Sequence, residues 1–254
     1  MGDIQGVLID VDGVLRIDNE PIPGAVEALQ NLRKRGIPFR LLTNTTVRTR
    51  HSLGALLRRM GFQVDDEEII TAGASTAAYL RRRFPNQPCF LIATGDVSGD
   101  FTGVPLTDGN DAKVVVIGGA EHNFTYAAMN HAFRLLRNGA ILIAMHREKY
   151  WITSAGPTLD AGAFIRGLEY VTGKRARVVG KPAAPFFRSG FHSLGLVPAQ
   201  VAVVGDDLGQ DILPAMKLGA TGVLVRTGKF DANQLEAGDP NHLINSIASF
   251  ADIL

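Results

Sequence analysis

The sequence is poor in cysteine, in aromatic side chains and in excess charge of either sign. Cys89 is the only cysteine among 254 residues, so no intrachain disulfide can form, and such usage is typical of a reducing compartment. The formal net charge of +1 gives no basic surface for nucleic acid. No apolar run approaches the roughly 18 residues of a membrane span. We therefore expect a cytoplasmic protein that binds neither nucleic acid nor membrane.

Two carboxylates one residue apart, Asp10 and Asp12, follow a short apolar run, Val7-Leu8-Ile9. Such a run is typical of a buried strand. Because alternate side chains of a strand share a face, both carboxylates can reach one pocket. Two close carboxylates repel each other unless a cation lies between them or one binds a proton. The pair therefore predicts a divalent metal, or a nucleophile beside a general acid and base.

Apolar runs alternate with helical patterns along the chain, an order typical of a parallel sheet with helices on its faces. The predicted strands are Val7–Ile9, Phe39–Leu42, Cys89–Ala93, Lys113–Gly119, Ile141–Ala144, Val178–Val179, Val201–Val204 and Gly222–Val225. The predicted helices lie between Gly24 and Gly36, and over Thr49–Met60, Ala74–Phe84, Tyr126–Arg137, Ala184–Leu194 and Gln210–Leu218; Ser246 caps a short C-terminal helix.

The middle of the chain repeats the strand and helix alternation with a glycine-closed helix of its own. We predict an α/β protein with a Rossmann-like, doubly wound parallel-sheet core formed by residues 1–74 and 178–254. A separate small α/β domain over residues 75–177 is inserted into that core. Cys89 lies in one of its apolar runs and is predicted to be a buried strand residue.

Polar side chains follow four of the apolar runs: Asp10 and Asp12, Thr43 and Asn44, Lys181, and Asp206 and Asp207. Ligands of open parallel sheets bind beyond the carboxyl ends of the strands, so we expect these groups to meet in one crevice. The carboxylates of Asp10, Asp12 and Asp206 suit a hard divalent ion, for which we expect Mg²⁺. Lys181 and Thr43 add a cation and a hydroxyl, and the whole set suits a phosphate.

Four motifs in this order resemble those of the haloacid dehalogenase (HAD) superfamily. They are Asp10-Val11-Asp12-Gly13, Thr43-Asn44, Gly180-Lys181-Pro182, and Gly205-Asp206-Asp207 with Asp211. The resemblance covers essentially the whole chain. It implies a magnesium-dependent phosphohydrolase that acts on small phosphorylated molecules through an aspartyl-phosphate intermediate.

The resemblance also implies roles for individual residues. Asp10 would be the nucleophile, and Asp12 would protonate the leaving group and later activate water. Mg²⁺ would be held by Asp10, Asp206 and the backbone carbonyl of Asp12. The phosphate-binding residues would be Asp10, Val11, Asp12, Thr43, Asn44, Thr45 and Lys181. Asp207 and Asp211 would either orient water on the metal or the lysine, or be ordinary acids at the start of a helix.

The position of the insert, between Thr43 and Lys181, resembles a C2a cap of HAD subclass IIA. Stretches such as Leu159-Asp160-Ala161-Gly162 and Val225-Arg226-Thr227-Gly228-Lys229 are similar to the branch of phospholysine phosphohistidine inorganic pyrophosphate phosphatases. The sugar-phosphatase branch has a Thr-Asn pair where Met145-His146 stands. Hydrolysis of a phosphomonoester, of pyrophosphate or of a phosphoramidate all stay open, with a phospho-accepting signalling module as a further alternative.

Cap residues would decide which substrate enters. We expect the candidates for substrate contact to be His146, Tyr150, Trp151 and Asp160. The resemblance also implies a homodimer formed through the cap. The other five histidines lack metal-ligand spacing, so we assign no chemistry to His51, His122, His131, His192 and His242.

Overall fold

Strands and helices alternate along most of the chain in the computed structural model, which describes residues 4–153 and 155–254. The strands are β1 (Gly6–Ile9), β2 (Arg16–Ile17), β3 (Glu20–Pro21), β4 (Phe39–Thr43), β5 (Ile69–Thr71), β6 (Cys89–Ile92), β7 (Val114–Ile117), β8 (Ile141–Ala144), β9 (Tyr150–Thr153), β10 (Gly156–Leu159), β11 (Arg177–Val178), β12 (Val201–Gly205), β13 (Thr221–Val225) and β14 (His242–Ile244). All of the predicted strands are confirmed within a few residues.

The helices also follow the predicted pattern. They are α1 (Ala25–Lys34), α2 (Arg50–Arg59), α3 (Ala72–Arg83), α4 (Tyr126–Arg137), α5 (Ala161–Thr172), α6 (Ala184–Leu194) and α7 (Leu213–Met216), which continues a π-helical turn over Leu208–Ile212. Short 3-10 turns cover Asp66–Glu68, Val97–Phe101, Glu121–Asn123, Pro198–Gln200, Ala232–Ala237 and Ile247–Asp252. Within the described residues, no helix combines the length and the apolar character needed to cross a membrane.

A six-stranded parallel sheet forms the larger unit of the chain, in the order β14-β13-β12-β1-β4-β5. β1 lies near its centre and is completely buried. Val7 and Ile9 belong to the apolar cluster that α1 and α2 cover, whereas Leu8 packs with Phe187 and Phe191 of α6 on the opposite face. The sheet is therefore covered on both faces, as the doubly wound prediction requires.

A four-stranded parallel sheet in the order β11-β8-β7-β6 forms the smaller unit. Side chains of α3 pack on one face, together with the buried thiol of Cys89, and α4 and α5 pack on the other. Burial raises the pKa of the Cys89 thiol to about 11, as expected for an unreactive core residue. The inserted α/β unit is thus confirmed, while the boundaries at residues 74/75 and 177/178 stay predictions.

We expected the four strands that are followed by polar side chains to belong to one sheet, but one of them does not. β11 pairs with β8, with Val178 opposite Ala144, and so extends the smaller sheet. Lys181 therefore follows a strand of the smaller unit and approaches the larger one through the turn at Gly180-Lys181-Pro182. The apolar pair Val178-Val179 is too short to indicate which of two parallel sheets it joins.

The segment from Tyr150 to Thr172 contains elements that the sequence analysis did not identify. β9 and β10 form an antiparallel hairpin, and α5 follows it. The helix contains Gly162, a residue that weakens helices in isolation. A Cβ on Gly162 would lie 2.4 Å from the carbonyl oxygen of Glu148, so close tertiary packing, rather than helix propensity, accounts for this glycine.

Candidate active site

A cavity lies between the two units, at the carboxyl ends of β1, β4 and β12. The larger unit contributes acidic and hydroxyl side chains to its floor, and the smaller unit contributes the loop after β8 and the β9–β10 hairpin to its wall. The predicted residues that line it are Asp10, Asp12, Thr43, Asn44, Thr45, Lys181, Asp206, Asp207 and Asp211. The side chain of Val11 is buried in the core of the larger unit, so Val11 can contribute only through its backbone.

Asp10 is buried at the end of β1 and is held from two sides. Its Oδ1 accepts a hydrogen bond from the backbone N–H of Val11 at 2.7 Å and lies 2.7 Å from Nζ of Lys181. Burial, which is the largest effect, and the charge of Asp211 together raise the pKa of Asp10 to about 8, although the charge of Lys181 opposes them. A second cation near this carboxylate would favour its ionised form.

Lys181 is buried between two carboxylates. Its Nζ lies 2.7 Å from Asp10 Oδ1 and 2.6 Å from Asp211 Oδ1. Burial alone would lower the pKa of Lys181, but Asp10 and Asp211 outweigh burial and raise it above the ordinary value. The lysine is therefore a fixed positive charge at the floor of the cavity, and the peptide bond to Pro182 is cis.

The side-chain amide of Asn44 fixes the backbone at Lys181. Asn44 Oδ1 accepts a hydrogen bond from the N–H of Lys181 at 2.8 Å, and Nδ2 donates to its carbonyl at 3.2 Å. Nδ2 also donates to Oε1 of Glu148 at 2.9 Å. The side chain of Asn44 thus positions Lys181, which leaves the backbone as the part of Asn44 that can face a phosphate.

Three buried carboxylates form a group that could hold a metal: Asp10, Asp206 and Asp211, with one oxygen of each within 4.8 Å of the others. Burial, and then their mutual repulsion, raises the pKa of Asp206 well above its ordinary value. A bound divalent cation would remove that repulsion, and a set of oxygen ligands is what Mg²⁺ prefers. Asp10 and Asp206 belong to the predicted set of metal ligands. The third carboxylate of the group is Asp211, whose role the sequence left open.

Two glycines allow Asp206 to reach this group. A Cβ on Gly13 or on Gly228 would lie 2.0 Å from Asp206 Oδ2. Both glycines also have positive φ angles, +86° and +63°, which residues with a Cβ rarely adopt. The same Asp206 oxygen accepts a hydrogen bond from the backbone N–H of Lys229 at 2.7 Å. Gly13 is therefore required by this close approach as well as by the turn.

Asp12 lies apart from the buried carboxylates, and its side chain is 52% exposed. Its Oδ1 forms an ion pair with Nη2 of Arg16 at 2.5 Å, and Thr43 donates a hydrogen bond to Oδ2 at 3.4 Å. The N–H of Thr45 donates to Thr43 Oγ1 at 3.0 Å. An oriented carboxylate that remains in contact with solvent can exchange protons with a leaving group or with water.

A partly buried ion pair that was not predicted joins Glu148, after β8, to Lys229, after β13. Burial would raise the pKa of Glu148, but Lys229 and then His146 outweigh it and lower the pKa to about 2. Lys229 belongs to a stretch that carried the family resemblance. Glu148 follows a strand of the smaller unit, and no other feature of the sequence indicates that it belongs to the site.

His146 lines the cavity and is itself buried. The N–H of Glu148 lies 3.3 Å from Nδ1 of His146. Nε2 lies 3.3 Å from Thr46 Oγ1 and 3.8 Å from Asp160 Oδ1. Of the remaining cap candidates, Trp151 and Asp160 line the cavity, whereas Tyr150 is not among its described lining residues.

Comparison with known proteins agrees with this arrangement. The family model for haloacid dehalogenase-like hydrolases matches residues 7–129, and a second HAD-hydrolase-like model matches residues 178–250. The human haloacid dehalogenase-like hydrolase domain-containing protein 2 is 37% identical over 237 residues, which cover 93% of this chain and 90% of that protein. The phospholysine phosphohistidine inorganic pyrophosphate phosphatase of Xenopus laevis is 33% identical over 261 residues, covering 99% of this chain and 94% of that protein.

Solved structures of the same architecture extend over nearly the whole chain. The p-nitrophenyl phosphatase from Archaeoglobus fulgidus superposes with a TM-score of 0.92 at 30% identity, over 99% of this chain and 100% of that one. NagD from E. coli K-12 superposes with a TM-score of 0.85 at 28% identity, over 96% and 97% of the two chains. The chain belongs to the haloacid dehalogenase-like hydrolases and is a phosphatase with the cap architecture of subclass IIA.

Proposed function

We propose that the chain is a magnesium-dependent phosphohydrolase that transfers the phosphoryl group of a small phosphorylated molecule first to Asp10 and then to water. The observation that carries the proposal is the position of Lys181 Nζ, 2.7 Å from Asp10 Oδ1, beside a group of three buried carboxylates. In this proposal Asp10 is the nucleophile, Lys181 is a fixed cation, and the carboxylates beside them hold the metal at the carboxyl end of the larger sheet. Charge neutralisation and positioning account for most of phosphoryl-transfer catalysis.

In the first step, a carboxylate oxygen of Asp10 attacks phosphorus, and the bond from phosphorus to the leaving-group oxygen breaks. Asp12 donates a proton to that oxygen. In the second step, Asp12 accepts a proton from water as the water attacks phosphorus. The bond from phosphorus to the Asp10 oxygen then breaks, which restores the carboxylate and releases phosphate. Arg16, 2.5 Å from Asp12 Oδ1, orients this acid and base for both steps.

The transferring phosphoryl oxygens would be held by Lys181, by the hydroxyl of Thr43, and by backbone N–H groups near Val11, Asp12, Asn44 and Thr45. The carboxylates of Asp10 and Asp206, the carbonyl of Asp12 and, from its place in the buried group, Asp211 would hold Mg²⁺. The ion would neutralise negative charge on the phosphate and on Asp10.

Pyrophosphate or phosphoramidate hydrolysis is the second candidate function, and the Xenopus relative named for these substrates favours it. A phospho-accepting signalling module is a weaker alternative, because an acid and base such as Asp12 promotes hydrolysis of the phosphorylated aspartate. We also propose that the protein is cytoplasmic and that it forms a homodimer through the cap.

The testing experiment is a phosphate-release assay with p-nitrophenyl phosphate, pyrophosphate and a phosphoramidate, each with Mg²⁺ and with chelator. We expect magnesium-dependent release that Asp10→Asn abolishes without loss of folding. Release that persists in a verified Asp10→Asn sample would overturn the nucleophile assignment. Equal release in chelator would overturn the metal assignment.

A further inference from the structure

The mouth of the cavity is apolar, in contrast to its charged floor. Trp151 and Leu159 of the hairpin, Phe124 of the smaller unit and Ile17 of the larger unit line it. Trp151 is 38% exposed, Leu159 63% and Ile17 37%. Exposed large apolar side chains grouped at a cavity often mark a surface that a ligand covers. Here they adjoin the carboxylates and the lysine that would hold a phosphate.

The basic side chains of the cavity are already engaged by carboxylates. Of the described residues that line it, Arg16 is ion-paired with Asp12, Lys181 with Asp10, and Lys229 with Glu148. Lys181 is the one that the transferred phosphoryl group would use. A leaving group with its own negative charge would therefore find the two other cations neutralised.

We propose that the cavity selects phosphate monoesters with an uncharged, aromatic-sized apolar leaving group, and that Trp151 is the specificity-determining contact. This inference rests on the proposed function and gives its substrate class. The phosphoryl group would occupy the floor near Lys181, and the leaving group would extend outward onto the indole ring. An aromatic ring gains from area burial and from stacking or edge contacts with an indole. Pyrophosphate would gain neither.

The hairpin itself supplies a matched control for Trp151. Tyr150 is the preceding residue and is 40% exposed, close to the value for Trp151. Both residues belong to β9, in which Trp151 pairs with Thr158 and Tyr150 pairs with Leu159. Tyr150 does not line the cavity within the described residues. Truncation of either aromatic residue alters the same partly exposed strand, but only Trp151 would contact the leaving group.

The first experiment compares phenyl phosphate with ethyl phosphate in wild type, Trp151→Ala and Tyr150→Ala. The ratio of variant to wild-type kcat/KM is taken for each substrate, because this ratio cancels the different intrinsic reactivity of the two esters. We expect Trp151→Ala to lower kcat/KM about tenfold or more for phenyl phosphate and less than twofold for ethyl phosphate. Tyr150→Ala should change both less than twofold. Wild type should hydrolyse phenyl phosphate with a higher kcat/KM than pyrophosphate.

The second experiment measures binding without turnover. Trp151 is the only tryptophan in the chain, so its intrinsic fluorescence reports on this position alone. Phenylphosphonate, whose carbon–phosphorus bond is not hydrolysed, is titrated in the presence of Mg²⁺, with methylphosphonate as the control. We expect saturable quenching by phenylphosphonate at a concentration at least tenfold below that needed for methylphosphonate.

Equal loss of activity toward both esters in Trp151→Ala, or preference for pyrophosphate in wild type, would overturn this inference while leaving phosphatase activity intact. Equal affinity for the two phosphonates would also overturn it. By contrast, absence of hydrolysis of every phosphate, with tight phenylphosphonate binding retained, would overturn the proposed reaction and support the apolar binding surface. The two failures are therefore distinguishable.

Discussion

The carboxylate of Glu148 forms a partly buried ion pair with Lys229, which joins the loop after β8 in the smaller unit to the loop after β13 in the larger unit. The same carboxylate accepts a hydrogen bond from Asn44 at 2.9 Å, and the backbone N–H of Lys229 donates to Asp206 at 2.7 Å. One contact between the units is therefore connected to both the proposed phosphate-binding and the proposed metal-binding parts of the site.

Glu148→Gln should lower the free energy of unfolding by about 2 kcal/mol, because it leaves the partly buried ammonium of Lys229 without its charged partner. Urea unfolding of wild type and variant measures this difference. The double variant Glu148→Gln with Lys229→Gln should regain part of the loss, since no uncompensated charge remains. A single variant as stable as wild type would show that the pair does not stabilise the fold.

The same pair should also make stability depend on pH. Folding lowers the pKa of Glu148 from its ordinary 4.5 to about 2, so the folded protein keeps this carboxylate ionised where the unfolded chain binds a proton. The stabilisation of the fold by this ionised carboxylate is complete above about pH 4.5 and disappears as the pH falls toward 2. The stability difference between wild type and Glu148→Gln should therefore shrink over that range, and a constant difference would contradict the assignment.

Mg²⁺ should stabilise the folded protein, because the proposed site would bind it through carboxylates that are brought together only in the native state. Thermal unfolding with and without Mg²⁺ should give a higher Tm with the ion for wild type and little change for Asp206→Asn. Metal-free Asp206→Asn should be at least as stable as metal-free wild type, since it removes a repelling charge.

Asp207→Asn is the matched control for the metal measurement. Its Oδ1 accepts hydrogen bonds from the N–H groups of Gly209 and Gln210, both at 2.9 Å, and an asparagine oxygen can accept the same bonds. We expect this variant to keep the Mg²⁺-dependent rise in Tm. An equal loss of that rise in both variants would contradict the separate roles of the two neighbouring aspartates.

Asn44→Ala should lower kcat about a hundredfold, because it removes both hydrogen bonds that fix the backbone of Lys181, and small displacements of a positioning group cost about that much. Phosphate-release kinetics measures the effect. Asn44→Asp should lose at least as much stability as Asn44→Ala, because its second oxygen would face the Glu148 carboxylate and the Lys181 carbonyl, to which Nδ2 of Asn44 donates. A kcat for Asn44→Ala within twofold of wild type would show that Lys181 does not depend on this contact.

Much of the fold could be predicted because buried parallel strands are continuous apolar runs and their helices end at glycines. Asp10, Thr43 and Asp206 directly follow or end such strands, so their convergence follows from sheet topology alone. Lys181 was identified as well, although its strand belongs to the other sheet. The strand at Val178-Val179 was predicted correctly, but it was expected in the larger sheet and lies in the smaller one. Two apolar residues fit either sheet equally well.

The parts that could not be predicted depend on contacts between distant segments. Glu148 lies in a loop, and its role comes from packing against Lys229 and Asn44, which no local pattern encodes. Asp211 looks like an ordinary acid near a helix until the fold brings it beside Lys181. The hairpin that carries Trp151 has no strict alternation of apolar and polar residues, so its pairing became visible only in three dimensions.

The most direct test of the central claim is to identify the residue that carries the phosphoryl group during turnover. Asp12→Asn, in which hydrolysis of the intermediate should be slow, is mixed with Mg²⁺ and p-nitrophenyl phosphate, whose leaving group does not need the proton of Asp12, and is then quenched in acid and digested for mass spectrometry. We predict a phosphorylated peptide with the modification on Asp10, and none in the double variant Asp10→Asn with Asp12→Asn. Phosphate release by wild type with no modification trapped at Asp10, or with modification at another residue, would contradict the account.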